Sequence, residues 1–523
     1  MAAVSASDGV GGAGVPTGGL NLSGPLPMDA VSGVMWTATY GICAVGAAWT
    51  APNKNLFTLT TSGVTIKTVK GGYPDIKAFA AALGIDPYTG VGGDTISGWF
   101  DQSSNEGDAI QTTAANRPWV GLIYGRICLG FGGVLSSDID HPTMKAQFLN
   151  LPPSVVMNTQ SCSIFSLVKP YSTTARTASS VTNFFGAGRL NTIVSNTGFA
   201  LEAPNSFFAD DAGSLASVFD LSNFESVQVF PPTVGIQNQV SYAILSAAAA
   251  KYGWNEYSET GPAITAASPA GGNIGSYPAS GGIGDNGFCG RGYAVLISST
   301  VFSPAQEAAM KASLYRILNM PTSPLIANVL IDGASLDQGQ GGVPGTLYTD
   351  ELVGGGMGWP EFLMDDLSSY PINWNNVAGS GFRIDQGTDF YNSIGNRKLF
   401  NPALAKNILI GPNSQYGNSG FQGRTIAQIK TDFTAYMAAA QADPWYKIAT
   451  AIFPEADDGT DPDGVEYNRW VLAGAAAGGY EVLQGPFDFF NDPSNLSGDH
   501  ISVLGYRRMA TAFMPQLRQW LGI

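Results

Sequence analysis

The strongest constraint on the fold is a change in hydrophobic pattern near residue 320. Before it, short runs of β-branched and aromatic residues alternate with Gly, Asn, Ser and Asp turns, which is typical of antiparallel strands. After it, apolar strand-like runs alternate with helical periodicity, which predicts a parallel sheet covered by helices on both faces. We therefore expect two folding units of different class in this chain of 523 residues, since that length exceeds what one core requires.

The boundary between these units follows FSPAQEAAMKASLYRILNM, which predicts a helix capped by Ser303, opened by Pro304 and ended by PTSP. We expect a β-sandwich over 28–320 and an α/β unit over 324–523. The preceding residues 1–27 carry Gly and Pro without apolar periodicity, which predicts a flexible arm that adds to neither core. The predicted elements are strands 56–61, 64–69, 119–124, 162–168, 293–297, 326–331, 372–377, 407–410, 448–453 and 480–483, and helices 425–442, 465–476 and 506–521.

The charge balance argues against several partners. With 25 basic and 40 acidic residues, the net charge of −15 disfavours nucleic acid and anionic membranes. No signal-peptide pattern opens the sequence, and no uncharged apolar run approaches the ~18 residues of a membrane helix. The amino-acid composition, poor in Lys and rich in Ser, Thr, Gly and Asn, resembles that of secreted or virion-surface proteins. We therefore expect a soluble protein at an extracellular or virion surface, with the arm available for homo-oligomer formation or virion attachment.

The cysteines give little chemical information. Cys43, Cys128, Cys162 and Cys289 lie far apart, and their spacing matches no zinc or redox motif. No metal or cofactor is implied. Buried free thiols and one or two disulfides both remain open.

Candidate catalytic residues follow three predicted strands of the C-terminal unit. Ser335 in IDGASLDQG offers a nucleophile in a glycine-flanked turn. Gly381 in NVAGSGF offers an unobstructed N–H, and Asn413 in ILIGPNSQYGN offers an amide for a developing oxyanion. His500 in GDHISVLGYRRMA is the one histidine after residue 324, and it is therefore the candidate base.

These four segments resemble the signature blocks of the SGNH (GDSL-like) hydrolases, in the family's order. The resemblance implies a flavodoxin-like α/β hydrolase fold with Ser335 as nucleophile. It also implies that Gly381 and Asn413 complete the oxyanion hole and that His500 is the base. Gly505 and Tyr506 stand at the family's usual distance after the histidine.

The sequence departs from the family pattern at three positions. Ala334 replaces the aspartate of the first block, and Ser414 replaces the acidic residue after the asparagine. Ser497 stands where the family has the aspartate that orients the histidine. Asp499 or Asp492 could orient the imidazole instead, or a Ser–His dyad could operate, and loss of the orienter would slow such an enzyme by a large factor.

The N-terminal unit contains a second resemblance. The segment WFDQSSNEGDAIQTTAANRPWVG, residues 99–121, resembles a motif of concanavalin-like sandwich domains of the laminin-G or arabinofuranosidase type. This implies a jelly-roll β-sandwich that binds glycans or acts as a spacer. A glycosidase would need two facing carboxylates. The available acids, each also explained as a turn or surface residue, are Asp101, Glu106, Asp108, Asp210 and Asp211.

Two other features of this unit have competing interpretations. Trp254 and Tyr257 in KYGWNEYSE could stack on a sugar ring, although buried strand aromatics are commoner. His141, before a proline, is most simply a loop residue.

Three functions follow from these observations. The leading hypothesis is a carbohydrate-directed serine esterase or deacetylase that acts on an acylated polysaccharide. The second is a binding or structural protein, such as a phage tail or virion-surface component with an inactive hydrolase fold. The third is a glycosidase whose chemistry lies in the sandwich.

Overall fold

The structure is a computed structural model of the chain. It describes residues 17–131, 147–170, 183–189, 197–202, 216–220, 225–229, 238–263, 270–275, 290–333, 335–338, 358–376, 378, 383–385, 400–411, 423–452, 462–486, 489–497 and 500–523.

The N-terminal part consists mainly of antiparallel strands, with helices α1 (Ile76–Leu83) and α2 (Pro304–Ile317) beside them. The strands are β1 (Trp36–Gly41), β2 (Asn55–Leu59), β3 (Thr65–Lys67), β4 (Val91–Trp99), β5 (Ala109–Ile110), β6 (Trp119–Ile123), β7 (Arg126–Phe131), β8 (Leu149–Val156), β9 (Ser161–Pro170), β10 (Asn183–Arg189), β11 (Thr197–Glu202), β12 (Ala216–Asp220), β13 (Glu225–Val229), β14 (Gln239–Ser246), β15 (Ala249–Trp254), β16 (Tyr257–Pro262), β17 (Ala270–Ile274) and β18 (Gly290–Ser298).

Two antiparallel layers share strand β4, which pairs with β2 in one layer and with β6 in the other. In the second layer, β18 pairs with both β1 and β9, and β9 also pairs with β14. The core contains large aromatic side chains such as Trp99, Phe165 and Tyr242, which are fully buried. An antiparallel β architecture for this part is therefore confirmed, and the predicted strand 162–168 lies inside β9.

The predicted arm is wrong for its last residues. Leu20 and Leu26 are each only 5% exposed. The N–H of Asn21 donates to the carbonyl of Ile317 at 2.9 Å, and Ser313 Oγ donates to the carbonyl of Pro25 at 2.9 Å. Two buried leucines and these bonds to α2 fix residues 17–27 against the antiparallel part. Residues 1–16 lie outside the described residues.

Helix α2 begins as the sequence predicts. The Ser303 side chain accepts from the N–H of Gln306, and the Gln306 side chain accepts from the N–H of Ser303 at 2.9 Å. This reciprocal capping box satisfies two N–H groups that a helix start otherwise leaves without partners. Pro304 occupies the first helical position, where no N–H is needed.

The C-terminal part contains a separate five-stranded parallel sheet with helices. Its elements are β19 (Ala327–Ile331), α3 (Ser335–Gln338), α4 (Trp359–Asp366), β20 (Ile372–Asn376), β21 (Asn407–Gly411), α5 (Ile426–Gln441), β22 (Lys447–Ile452), α6 (Pro462–Gly478), β23 (Glu481–Gln484), the two-stranded ribbon β24 (Leu496–Ser497) and β25 (His500–Ile501), and α7 (Val503–Leu521). The strand order across the parallel sheet is β20, β19, β21, β22, β23.

Helices cover both faces of this sheet, as the alternating pattern predicts. Val329 and Ile331 of β19 belong to the same apolar cluster as Trp359 of α4 and Phe513 of α7. Leu330, which points the opposite way along the strand, packs in a second cluster with α5 and α6. The N-terminal ends of the strands also carry a buried amide ladder, in which Asn328 accepts from Asn373 at 2.7 Å and donates to Asn407 at 3.1 Å.

The two parts meet at a buried ion cluster beside α4. Asp365 accepts from Lys169 of β9 at 2.6 Å and from Arg291 of β18 at 3.1 Å. Both cations are only 1% exposed. Although burial opposes ionisation, these cations and Arg126 hold the pKa of Asp365 well below its usual range. Charge pairing accompanies apolar contact across this junction, where Trp119 and Ile123 belong to one buried cluster with residues of α4.

Three cysteines, Cys43, Cys128 and Cys162, are buried free thiols, and Cys289 lies outside the described residues. Burial raises the pKa of Cys43 and of Cys162 to about 12. Within the described ranges, no helix is both long enough and apolar enough to cross a membrane.

Candidate active site at the parallel-sheet edge

The turn after β19 carries the candidate nucleophile. The strand ends at Ile331, Asp332 and Gly333 follow, and Ser335 is the first residue of the short helix α3. A strand that leads directly into a helix through a glycine-containing turn places residue 335 at the carboxyl edge of the sheet. The Ser335 side chain lies outside the described atoms.

This edge contains the topological switch point of the sheet. The chain leaves β19 to form β20 on one side and later returns to form β21 on the other. Ile331 is level with Asn376 of β20 and with Ile410 of β21. Ligands of open α/β sheets bind in the crevice beyond the strand ends at such a point. The segments that contain Ser335, Gly381 and Asn413 begin at these three neighbouring ends, although Gly381 and Asn413 themselves lie outside the described residues.

Asp332 is a buried carboxyl group at this point and is 3% exposed. Its N–H donates to the carbonyl of Ile410 at 2.8 Å, and its Oδ2 accepts from the Tyr436 hydroxyl at 2.6 Å. Burial raises the pKa of Asp332 to about 7, although the hydrogen bond from Tyr436 opposes the shift, and the nearby Asp337 adds to it. Asp332 can therefore gain or lose a proton near neutral pH, three residues before the candidate nucleophile.

Glycine is required where Tyr436 approaches the sheet. A Cβ on Gly411 would lie 2.7 Å from the Tyr436 hydroxyl oxygen. Without that side chain, Tyr436 of α5 reaches across the end of β21 to Asp332 at the end of β19. This hydrogen bond therefore joins helix α5 to the turn after β19.

Asp337 organises the opposite side of the same turn. Its Oδ1 accepts from Trp359 Nε1 at 3.1 Å, and its backbone carbonyl accepts from Asn376 Nδ2 at 3.0 Å. A Cβ on Gly333 would lie 1.9 Å from Asp337 Oδ2, so the turn closes only with glycine there. Since Asn376 Oδ1 also accepts from the N–H of Ala378 at 3.0 Å, the turn is connected to the segment that leads to Gly381.

The candidate base lies on the ribbon before α7. Ser497 of β24 pairs with His500 of β25, which leaves a two-residue connection between them. Ser502 then caps α7 by accepting from the N–H of Gly505 at 3.1 Å. Of the two predicted partners, Asp499 lies outside the described residues, as do the side chains of Ser497 and His500.

Asp492 makes other contacts. Its Oδ1 accepts from Ser494 Oγ at 2.6 Å, and its Oδ2 accepts from Arg508 at 2.6 Å. Hydrogen bonds from Ser494, followed by the one from Arg508, lower the pKa of Asp492 to about 2. The carboxylate therefore caps the turn before β24 and pairs with α7.

The acidic motif of the antiparallel part has a structural role. Asp101 is 5% exposed and accepts from the N–H groups of Thr39 at 2.7 Å and Gly107 at 3.0 Å. Gln102 donates to the carbonyl of Cys43 at 2.8 Å and accepts from the N–H of Val45 at 2.9 Å. These side chains replace backbone partners in a loop that covers the core, which agrees with the turn interpretation.

Asp108 is the motif carboxyl group whose surroundings alter its ionisation. Burial raises its pKa, although the N–H of Asp101, at 2.9 Å, donates to its Oδ1 and opposes the shift. Glu106 occupies the connecting turn with a φ of 53°. The other candidates, Asp210, Asp211 and His141, lie outside the described residues.

Several residues of the parallel-sheet edge were not identified from the sequence, namely Asp332, Asp337, Trp359, Asn376 and Tyr436. An available signal was the acid directly after an apolar strand at Asp332. Asp332 and its hydrogen-bond partner Tyr436 are 104 positions apart in the sequence. No local pattern therefore reveals this contact. Among the described residues, no group of three or more His, Cys, Asp or Glu side chains could hold a metal ion.

Comparisons with known proteins give low similarity. No family model matches the sequence, and no curated protein matches it. A structure of GH54 α-L-arabinofuranosidase is 12% identical, with 55% of this chain and 65% of that chain covered and a TM-score of 0.38. TesA is 20% identical over 37% of this chain and 99% of that chain, with a TM-score of 0.29. A family two carbohydrate esterase from Cellvibrio japonicus is 12% identical over 75% of this chain and 94% of that chain, with a TM-score of 0.33.

The chain spans less than two thirds of the length of that arabinofuranosidase. TM-scores below 0.5 do not by themselves establish a shared fold. The chain is therefore similar to these proteins at a coarse level, and each of them matches a different share of its length.

Proposed function

We propose that the chain is a serine esterase of SGNH type that removes acetyl or other short acyl groups from a polysaccharide. The observation that carries this proposal is the order β20, β19, β21, which puts the starts of the three motif-bearing segments at adjacent strand ends. Neighbouring strands lie about 4.8 Å apart. Segments that begin at such spacing are close enough to surround one ester group.

The proposed reaction proceeds through an acyl-enzyme. Ser335 Oγ attacks the ester carbonyl carbon while His500 accepts the hydroxyl proton, and the N–H of Gly381 and the amide of Asn413 stabilise the oxyanion. The bond to the sugar oxygen then breaks, and that oxygen takes the proton from His500. Water next attacks the acyl carbon with His500 again as base, which releases the carboxylic acid and restores Ser335.

The topology supports the finer fold assignment. In chain order, the parallel strands have the arrangement 2-1-3-4-5, which is the flavodoxin-like order with a ligand crevice between the first and third strands. The proposal also assigns the antiparallel part to a concanavalin-like sandwich that holds the polysaccharide, with a boundary between the units at residues 320–324. An extracellular or virion-surface location belongs to the same proposal.

Hydrolysis of p-nitrophenyl acetate by the full chain tests the reaction. Ser335→Ala should remove nearly all activity, because the oxyanion donors alone leave a small residual rate. Ser368→Ala, a substitution on the connection after α4, should retain wild-type activity. Absence of hydrolysis of several short acyl esters, or full activity in Ser335→Ala, would favour a non-catalytic binding protein instead.

A second substitution asks which group orients the base. If Asp499 holds the imidazole, Asp499→Asn should lower kcat by a factor on the order of 10⁴ with folding intact, as the loss of a triad aspartate does elsewhere. A Ser–His dyad predicts little change.

A further inference from the structure

A cavity lies between the two parts of the molecule, at the edge of the parallel sheet opposite the candidate active site. Its volume is about 200 Å³, and it reaches Ile372, the first residue of β20. Ser335 follows the far end of the neighbouring strand β19. A strand of five residues spans roughly 13 Å, so this cavity is separate from the proposed catalytic turn.

One wall of the cavity comes from the turn between β15 and β16 and from the adjoining helix α2. Asn255, Glu256 and Tyr257 line it together with Tyr315. Lys311 Nζ donates to the carbonyl of Asn255 at 3.1 Å and lies 3.5 Å from the Glu256 carboxylate. These contacts fix the turn against α2, so this wall of the cavity has a defined shape.

The opposite wall comes from the chain that connects the two parts and from the segment after α4. Pro324 and Leu325 belong to the connection, and Leu367, Tyr370 and Trp374 belong to the parallel-sheet part. Both aromatic and aliphatic side chains therefore line this wall. A site between two folding units with mixed apolar and polar lining is typical of small-ligand pockets.

The polar lining specifies the kind of ligand. Asn238 Oδ1 is buried in this lining without a hydrogen-bond partner. An unpaired buried acceptor is costly, and a ligand O–H or N–H would satisfy it. The Glu256 carboxylate is a second acceptor and is 67% exposed, so it is available to a ligand that enters from solvent.

The cations near the cavity already have partners. Lys169, which lines the cavity, pairs with Asp365 at 2.6 Å, and Lys311, which lies outside the lining, is 3.5 Å from both Glu256 and Glu307. An anionic ligand would meet the exposed Glu256 carboxylate, and a cationic ligand would meet the Lys169 ammonium group. The lining therefore favours a neutral ligand that presents hydroxyl donors beside an apolar face.

We propose that this cavity is a second, non-catalytic binding site for one sugar unit of a neutral glycan. Asn238 and Glu256 accept from the sugar hydroxyl groups, and Tyr257, which is 37% exposed, packs on the apolar face of the ring. The choice of a glycan rests on the proposed function, whereas the presence of a ligand site rests on the cavity. When one sugar unit of a glycan is bound in this cavity, other sugar units of the same glycan remain free to reach the parallel-sheet edge.

The test is calorimetric titration of the full chain that carries Ser335→Ala, with xylohexaose and cellohexaose as probes. Saturable binding of at least one probe is expected. Tyr257→Ala and, separately, Asn238→Ala should each raise Kd by about tenfold or more. Tyr88→Ala, which removes an exposed tyrosine of the same part outside the cavity lining, should change Kd by less than about twofold.

This test is separate from that of the esterase. Tyr257→Ala in the chain that retains Ser335 should hydrolyse p-nitrophenyl acetate at the wild-type rate. A protein that binds the probes through Tyr257 but hydrolyses no ester would keep this inference and overturn the proposed function. Absence of saturable binding, or binding unchanged in both Tyr257→Ala and Asn238→Ala, would overturn the inference.

Discussion

Asp332 and Asp365 are two largely buried aspartates of the parallel-sheet part with opposite surroundings. Asp365 lies at the junction with the antiparallel part and contacts Lys169 and Arg291. Asp332 lies at the switch point of the sheet, where Tyr436 donates a hydrogen bond from a neutral group. The cations hold the pKa of Asp365 below its usual range, whereas burial raises the pKa of Asp332 to about 7.

The comparison separates a structural carboxylate from a candidate functional one. Buried charges that fix two folding units together are compensated by opposite charges, and removal of one partner is then costly. A carboxyl group without such compensation is expected where its proton is used or where it sets the field of a site. Asp332 fits the second description because it lies three residues before Ser335.

The largest expected effect is on the junction. Asp365→Ala leaves Lys169 and Arg291 buried without their main partner and should lower the free energy of unfolding by about 3–5 kcal/mol. The matched control is Asp366→Ala, because this neighbour is 22% exposed and pairs with two partly exposed cations, Arg126 and Arg507. Each of these pairs should contribute about 1 kcal/mol or less. Urea unfolding measures the free energy of unfolding of both variants. Equal losses of stability would contradict the distinction between the buried and the partly exposed aspartate.

The next effect is the pH dependence that Asp332 imposes. Its pKa is higher in the folded chain than in the unfolded chain, so its contribution to stability is complete below about pH 4 and is lost as the pH rises through about 7. Asp365 has the opposite sign, since its contribution is lost on acidification. The asparagine in Asp332→Asn does not titrate. The free energy of unfolding of this variant, relative to that of wild type, should therefore increase between about pH 4 and about pH 8 by on the order of 2–4 kcal/mol.

A companion variant sharpens this prediction. Tyr436→Phe removes the hydrogen bond that opposes the shift. The pKa of Asp332 should then rise further, and the loss of stability should continue to a higher pH than in wild type. Parallel stability profiles for wild type and Asp332→Asn would contradict the assignment.

The smallest expected effect concerns the turn that carries Ser335. Trp359→Phe removes the indole N–H that donates to Asp337 and should cost about 1–2 kcal/mol. Ester hydrolysis should also decrease, because Asp337 positions α3. Trp520→Phe, at the C-terminal end of α7, offers a buried tryptophan of the same part as control. It should lose stability through packing but keep its activity, and an equal loss of activity in both variants would argue against a positioning role.

The sequence predicts the C-terminal elements well because their patterns are local. Apolar runs bounded by turn residues predict β19 and β21 to within one or two residues. Strand β20, in which Ile372 and Trp374 alternate with asparagines, is predicted equally closely. The same runs show that Ser335 follows a strand end. The Asp332–Tyr436 hydrogen bond joins distant positions, and the burial that changes the ionisation of Asp332 depends on the packed helix α5.

The antiparallel part was predicted less completely. Glycine and proline around Leu20 and Leu26 conceal two buried apolar side chains in a segment that hydrogen-bonds to α2. The short helix α1 and strand β1 were also missed, because elements of eight and six residues give only a short hydrophobic pattern. Asp101 and Gln102 show the converse case, in which polar residues suggestive of chemistry instead satisfy loop backbone groups.

The most direct measurement of the central claim is covalent labelling with a fluorophosphonate, followed by peptide mass spectrometry. A serine activated by a neighbouring base attacks phosphorus and displaces fluoride, which leaves a stable phosphonyl ester on Oγ. The account predicts one adduct per chain, located on Ser335, and no adduct in Ser335→Ala. An unlabelled chain, or an adduct on a different residue, would contradict the assignment of Ser335 as the nucleophile.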